Sequence, residues 1–158
     1  MAIEIICCTK EDIIQMNELP KGFEIELCNN LEKGGYTPDI DLIAECVNIS
    51  KHPIRVMIRN HDNGFYYEKE ELKIMVNQIN EIKDKCQPTG FVFGCLNKEG
   101  NDIDEEALKI LSGETLGYSN TFHKAIDLII DTNFIPTLKK YNIDRILTQG
   151  GIKNIDEN

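Results

Sequence analysis

The stretch EIELCNN, residues 24–30, decides how the rest of the chain is read. Its core alternates with a period of two, the mark of a β-strand. Successive side chains of a strand point to opposite faces. Glu24, Glu26 and Cys28 therefore share one face, and Ile25 and Leu27 share the other. An open parallel sheet is covered by helices on both faces, so its strands read as nearly continuous apolar runs. Two carboxylates and a thiol on one face fit a barrel lumen better. Glu24 then lies low in the lumen, Glu26 higher and Cys28 at the mouth.

Outward from this strand, short apolar strands alternate with amphipathic helices. IEIICC (3–8) is a first strand. Thr9 follows as a helix cap, with Asp12 three residues on. After Gly34-Gly35, Thr37 is read as a cap with Pro38 at the first helical position. PIRVMIR (53–59) is a third strand. Over 68–86, Leu72, Met75, Val76, Ile79, Ile82 and Cys86 fall on one helical stripe. GFVFGCL (90–96) is a fourth strand, Asp104 caps a helix carrying Leu108 and Leu111, and YSNTFH (118–123) is a fifth strand. A helix around Phe134, Ile135 and Leu138 leads to DRILT (144–148), a sixth strand that ends near Gly150-Gly151.

Six such repeats predict an α/β fold with a parallel sheet. The length, 158 residues, suits an open doubly wound sheet, whereas a (β/α)8 barrel takes roughly 250. No G-x-G-x-x-G follows the first strand, which argues against a dinucleotide site. Polar residues collect at strand C-termini: Cys28 and Asn29, Arg59 and Asn60, His123, Thr148. That is where a barrel builds its site.

The net charge is −10 and no Lys/Arg run is present. Nucleic acid and anionic membrane surfaces are disfavoured as partners. No apolar run approaches a membrane-spanning length. The first residues turn acidic too soon for a signal peptide. The expected compartment is the cytoplasm, and the six cysteines are expected to be thiols. None lies in a C-x-x-C pair, so a zinc ribbon or thioredoxin motif is not supported.

Cys7 and Cys28 end the first two strands. Parallel neighbours lie about 4.8 Å apart, so the two thiols can share one soft ion, Cu(I) above all. Two thiols are too few for structural zinc, and the plain alternative is a pair of core cysteines. Glu26 and Arg59 are expected to point inward on the second and third strands, and each needs a partner. They form either a structural ion pair or a pocket for an anionic or polyhydroxy ligand. His123, in TFHKAID, is a candidate general base or metal ligand. RNHDNGFYY (59–67) reads as a loop over the mouth, with Phe65 and Tyr67 packing there.

Taken in order, IICC, IELCNNLEKGGYTPD, VMIRNHDNGFYYEKEELKIM, FVFGCLNKEGNDID, TFHKAID and RILTQGG resemble the copper homeostasis protein CutC family over essentially the whole chain. The resemblance implies a cytosolic TIM barrel linked to copper handling, with Cys7 and Cys28 matching its Cu(I)-ligand cysteines. It also implies a mouth carrying Glu26, Arg59 and His123 as candidate catalytic residues. Two departures stand out: residues 60–64 replace a Gly-rich basic turn, and Lys124 replaces an arginine. The family runs past 200 residues, so residues 1–158 are expected to form one domain of about six strands, lacking the last two βα units. Its sheet edges then offer a route to self-association. The expected function is copper homeostasis with Cu(I) bound by strand-end cysteines. The alternative is a TIM-barrel enzyme, or its inactive remnant, with a Glu/Arg/His pocket for a small anionic or polyhydroxy ligand.

Overall fold

A computed structural model describes residues 3–131 and 133–151. Six parallel strands alternate with helices: β1 (Ile3–Cys7), α1 (Lys10–Met16), β2 (Phe23–Leu27), α2 (Ile40–Ile49), β3 (Ile54–Met57), α3 (Lys69–Lys85), β4 (Gly90–Phe93), α4 (Glu105–Glu114), β5 (Ser119–Phe122), α5 (Ile135–Lys140) and β6 (Arg145–Ile146). The strands pair in sequence order, β1 to β6, every pair parallel. Such a sheet curls into a half-barrel with its helices outside.

The two faces differ sharply in chemistry. The outer face carries Ile25, Leu27, Val56, Ile58, Phe91, Phe93 and Phe122, all fully buried. They pack against Met75, Ile79 and Ile82 of α3 and Leu108 and Leu111 of α4. Each such side chain contributes about 1.5–3 kcal/mol of transfer free energy, so most apolar stabilisation lies in this layer. The inner face carries Glu4, Ile6 and Cys8 from β1 and the residue after it. Glu24 and Glu26 face it from β2, with Cys28 just after that strand, and Arg55 and Met57 from β3, with Arg59 two residues beyond it. The register confirms the parity, because Glu4 stands beside Glu24 and Ile6 beside Glu26. Ile6 is 46% exposed despite lying on this face, because β1 is a sheet edge.

Local signals set most boundaries. Thr9 accepts from Asp12 N at 3.1 Å and Asp12 accepts from Thr9 N at 2.8 Å, the reciprocal box that starts α1. Asp104 accepts from Ala107 N at 3.0 Å and starts α4. One cap differs from the sequence reading. Helix α2 starts at Ile40, capped by Asp39, which accepts from Asp41 N. Thr37 is instead occupied by β3: its hydroxyl accepts from Arg59 N at 2.9 Å and its amide donates to Arg59 O at 2.9 Å. Among the described residues, no helix is long and apolar enough to cross a membrane.

Candidate functional site

The lumen divides into a floor and a mouth. On the floor, Arg55 donates to Glu24 at 2.8 Å and reaches Glu4 at 3.5 Å. Its guanidinium also donates twice to Ser119 Oγ at 3.2 Å. Arg145, on β6, pairs with Glu24 and lies 3.3 Å from Glu4. The last strand is thus tied to the first two across the lumen. Burial alone would raise the Glu24 carboxyl. The hydrogen bond from Arg145 and the charges of Arg55 and Arg145 outweigh that and hold it below the usual range.

At the mouth, a cavity of about 240 Å³ is lined by Glu26, Arg59 and His123. Lys33 and Lys124 stand at its edge, and Ile6, Leu31, Met57, Phe65 and Leu147 form its apolar wall. The three candidate catalytic residues are therefore brought together. They are not paired as the floor residues are. Glu26 Oε2 and His123 Nε2 are buried with no hydrogen-bond partner. Burial, then repulsion from Glu4, pushes the Glu26 carboxyl up to about 7, with Lys124 opposing.

His123 follows β5 and caps a 3₁₀ turn. Its Nδ1 accepts from Ala125 N at 3.2 Å, so the ring proton of neutral His123 sits on Nε2. Burial, followed by the Arg59 charge, lowers its pKa to about 3. The ring stacks against Phe65 with centroids 4.8 Å apart. Gly94, just after β4, makes room for it, since a Cβ there would lie 2.4 Å from His123 Nδ1.

Arg59 is held by its surroundings. Nη1 donates to Lys33 O at 2.9 Å and Gly35 O at 3.3 Å. Its Cζ lies 5.0 Å from the Phe65 ring centroid and 5.7 Å from that of Tyr36. Gly34, at φ +86°, allows this approach, because a Cβ there would meet Nη1 at 3.0 Å. The loop 59–67 is thus a fixed part of the mouth, with Leu96 N donating to Phe65 O at 2.8 Å.

Beside the cavity lies a small sulfur-rich cluster of Cys28, Met57 and Val92, with Cys8 packed against it. Cys8 Sγ and Cys28 Sγ are 3.9 Å apart. This departs from the pair read in the sequence. Cys7 stands beside Leu27 in the register and belongs to the helix-facing core with Ile13 and Cys46. A one-residue change of parity moves a side chain to the other face. The structure therefore brings Cys8, not Cys7, beside Cys28. The signal was present in Glu4: a carboxylate cannot face the apolar helix layer unpaired, and Cys8 shares its parity. Burial, then the neighbouring Cys8, pushes the Cys28 thiol up to about 12. All six cysteines are free.

The sequence reading also missed Arg55, Arg145 and Glu4 as one ionic cluster. Arg55 shares the parity of Arg59 and was open to detection. Arg145, the second partner of Glu24, lies 121 residues from it, and nothing local joins them.

Comparison with known proteins agrees with this fold. The CutC family model matches residues 1–158. The CutC family protein of Glaesserella parasuis is 35% identical over 151 residues, 95% of this chain and 61% of the relative. That of Enterococcus faecalis is 39% identical over 133 residues, 80% of this chain and 63% of the relative. The solved CutC copper homeostasis protein of Streptococcus agalactiae superposes with a TM-score of 0.85 at 30% identity, covering 97% of this chain and 75% of that one. The chain spans about three fifths of the length of these curated relatives. With its half-barrel of six parallel strands, this chain belongs to the CutC family.

Proposed function

We propose that this chain acts in copper homeostasis and holds Cu(I) between Cys8 and Cys28. The observation that carries this reading is the 3.9 Å separation of the two sulfurs, with the Met57 side chain in the same cluster. Thiolates and thioethers are the soft donors that select Cu(I). The donor set therefore fits the ion, and a reducing compartment such as the cytoplasm suits six free thiols. The ion must displace the thiol protons, which burial holds tightly on Cys28. Cys7, the ligand expected from the sequence, packs on the other face and has no part in this reading. The test is a Cu(I) titration of the reduced chain against a competing chelator. Cys28→Ser is expected to abolish stoichiometric binding, and unchanged binding refutes the site.

The mouth cavity favours a second reading: an enzyme pocket built by Glu26, Arg59 and His123. Its supporting observation is the pair of buried, unpartnered atoms, Glu26 Oε2 and His123 Nε2, in one cavity. Buried polar groups are nearly always satisfied, so such groups point to a missing partner. Glu26 is the group fitted to give and take a proton near neutral pH. Neutral His123 donates a hydrogen bond from Nε2. A small-molecule ligand is expected to raise the melting temperature, and the rise is lost in Arg59→Ala. A rise that survives in Arg59→Ala refutes the pocket.

A further inference from the structure

The mouth cavity carries more positive charge than its single carboxylate balances. Lys33, Arg59 and Lys124 line it together with Glu26, and among the described residues no other acidic side chain does. This is a local reversal in a chain of net charge −10. We propose that the cavity binds a small organic anion: a carboxylate or phosphate group on a short apolar body. The proposal rests on the pocket reading above and names its ligand class; it is independent of copper.

Arg59 is a preformed anion contact. Its Nη1 is anchored on two carbonyls, and its plane is packed by Phe65 and Tyr36. Among the described residues no carboxylate is paired with it, in contrast to Arg55 on the floor. A positioned guanidinium of this kind suits carboxylate and phosphate oxygens. Lys124 is exposed and makes no ion pair among the described residues. Lys33 has only a distant one, 3.9 Å from Asp62, with about half of each side chain in water. Such a contact holds the Lys33 ammonium weakly, so both lysines can turn to a ligand.

The second observation is independent of charge. His123 is 3% exposed, its Nδ1 is used by Ala125 N, and its Nε2–H is left without an acceptor in the cavity wall. A ligand oxygen satisfies that donor, and an ammonium group cannot. Glu26 Oε2, also buried and unpartnered, remains for a hydroxyl or protonated group elsewhere on the ligand.

The rest of the wall sets the body of the ligand. Ile6, Leu31, Met57, Phe65 and Leu147 are apolar. A volume near 240 Å³ corresponds to roughly eight water molecules, so the ligand is a small metabolite-sized anion rather than a nucleotide or a peptide.

The test titrates the metal-free chain, in low-chloride buffer with a chelator, with four matched probes: butyrate, butyl phosphate, butyramide and butylamine. Binding is read by calorimetry and by the melting temperature. The two anions are expected to bind about tenfold or more tighter than the amide, and the amine is expected not to bind. Lys33→Met and Lys124→Met are each expected to weaken the anions about five-fold, with the unliganded melting temperature unchanged because both residues are exposed. Equal binding of butyramide overturns the anion assignment while the pocket reading stands. Anion binding that neither lysine variant weakens places the anion elsewhere and also overturns it. Absence of binding by all four probes removes both. No outcome bears on Cu(I) binding, which is measured separately on Cys28→Ser.

Discussion

The floor and the mouth of the half-barrel are built from the same residue types and end in opposite states. On the floor, Arg55 and Arg145 meet Glu4 and Glu24, and Ser119 accepts what remains of the Arg55 fork. At the mouth, Arg59 has only backbone carbonyls and aromatic faces, and Glu26 and His123 keep unpartnered atoms. Folding has every reason to satisfy a buried charge, since leaving one alone costs several kcal/mol. The floor is therefore a structural device that ties β6 to β1 and β2. The mouth retains a cost that the rest of the fold carries, which is how binding sites look before their ligand arrives.

The largest expected effect lies on the floor. Arg55→Met leaves Glu24 and Glu4 facing each other with Arg145 alone and is expected to cost about 3 kcal/mol, read as a lower urea midpoint. A loss under about 0.5 kcal/mol would erase the distinction between the two regions.

The next concerns pH and separates them. The pKa of His123 is about 3 in the folded chain, against about 6.5 unfolded. Between these values the unfolded chain binds the extra proton, so the His123 contribution falls as pH drops from about 6.5 towards 3, by up to about 1.4 kcal/mol per pH unit, while Glu26, raised to about 7, contributes with the opposite sign from there down to the ordinary carboxylate value. Glu24 is lowered by its arginine partners. Its contribution is present above the ordinary carboxylate value and is lost only at more acid pH. His123→Asn keeps a cap acceptor for Ala125 N and is expected, relative to the parent chain, to remove the fall between about 6.5 and 3, leaving the opposing Glu26 contribution above and the Glu24 loss at more acid pH. Identical profiles for the two proteins would assign the acid sensitivity to the floor.

The smallest effect is expected to have the opposite sign. Glu26→Gln removes a buried, unpartnered carboxylate and is expected to raise stability by about 1 kcal/mol, seen as a higher melting temperature. Destabilisation by that amount would show that Glu26 has a structural partner.

The fold was legible because its signals are local. Parity in EIELCNN placed Glu24, Glu26 and Cys28 inward, and the box at Thr9 and the cap at Asp104 set two helix starts. The cap of α2 was misplaced because Thr37 is claimed by Arg59, 22 residues away, and Asp39 inherits the role. The grouping of Glu26, Arg59 and His123 was legible from their strand-end positions. The thiol partner was harder to read, because two adjacent cysteines differ only in parity, and the one signal that tells them apart is Glu4, which shares the face of Cys8. Lys33 carried no signal, since exposed lysines on loops look alike until a cavity is seen beside them, and Lys124 stood out only as the replacement of an arginine.

The central claim is that Cys8 and Cys28 form the soft-metal pair and that Cys7 belongs to the core. The direct measurement compares Cu(I) stoichiometry, by competition with a colorimetric chelator under reducing conditions, in Cys7→Ser and Cys8→Ser. The account predicts that Cys8→Ser loses the bound ion and that folded Cys7→Ser keeps it. Retention in Cys8→Ser with loss in a folded Cys7→Ser would contradict it.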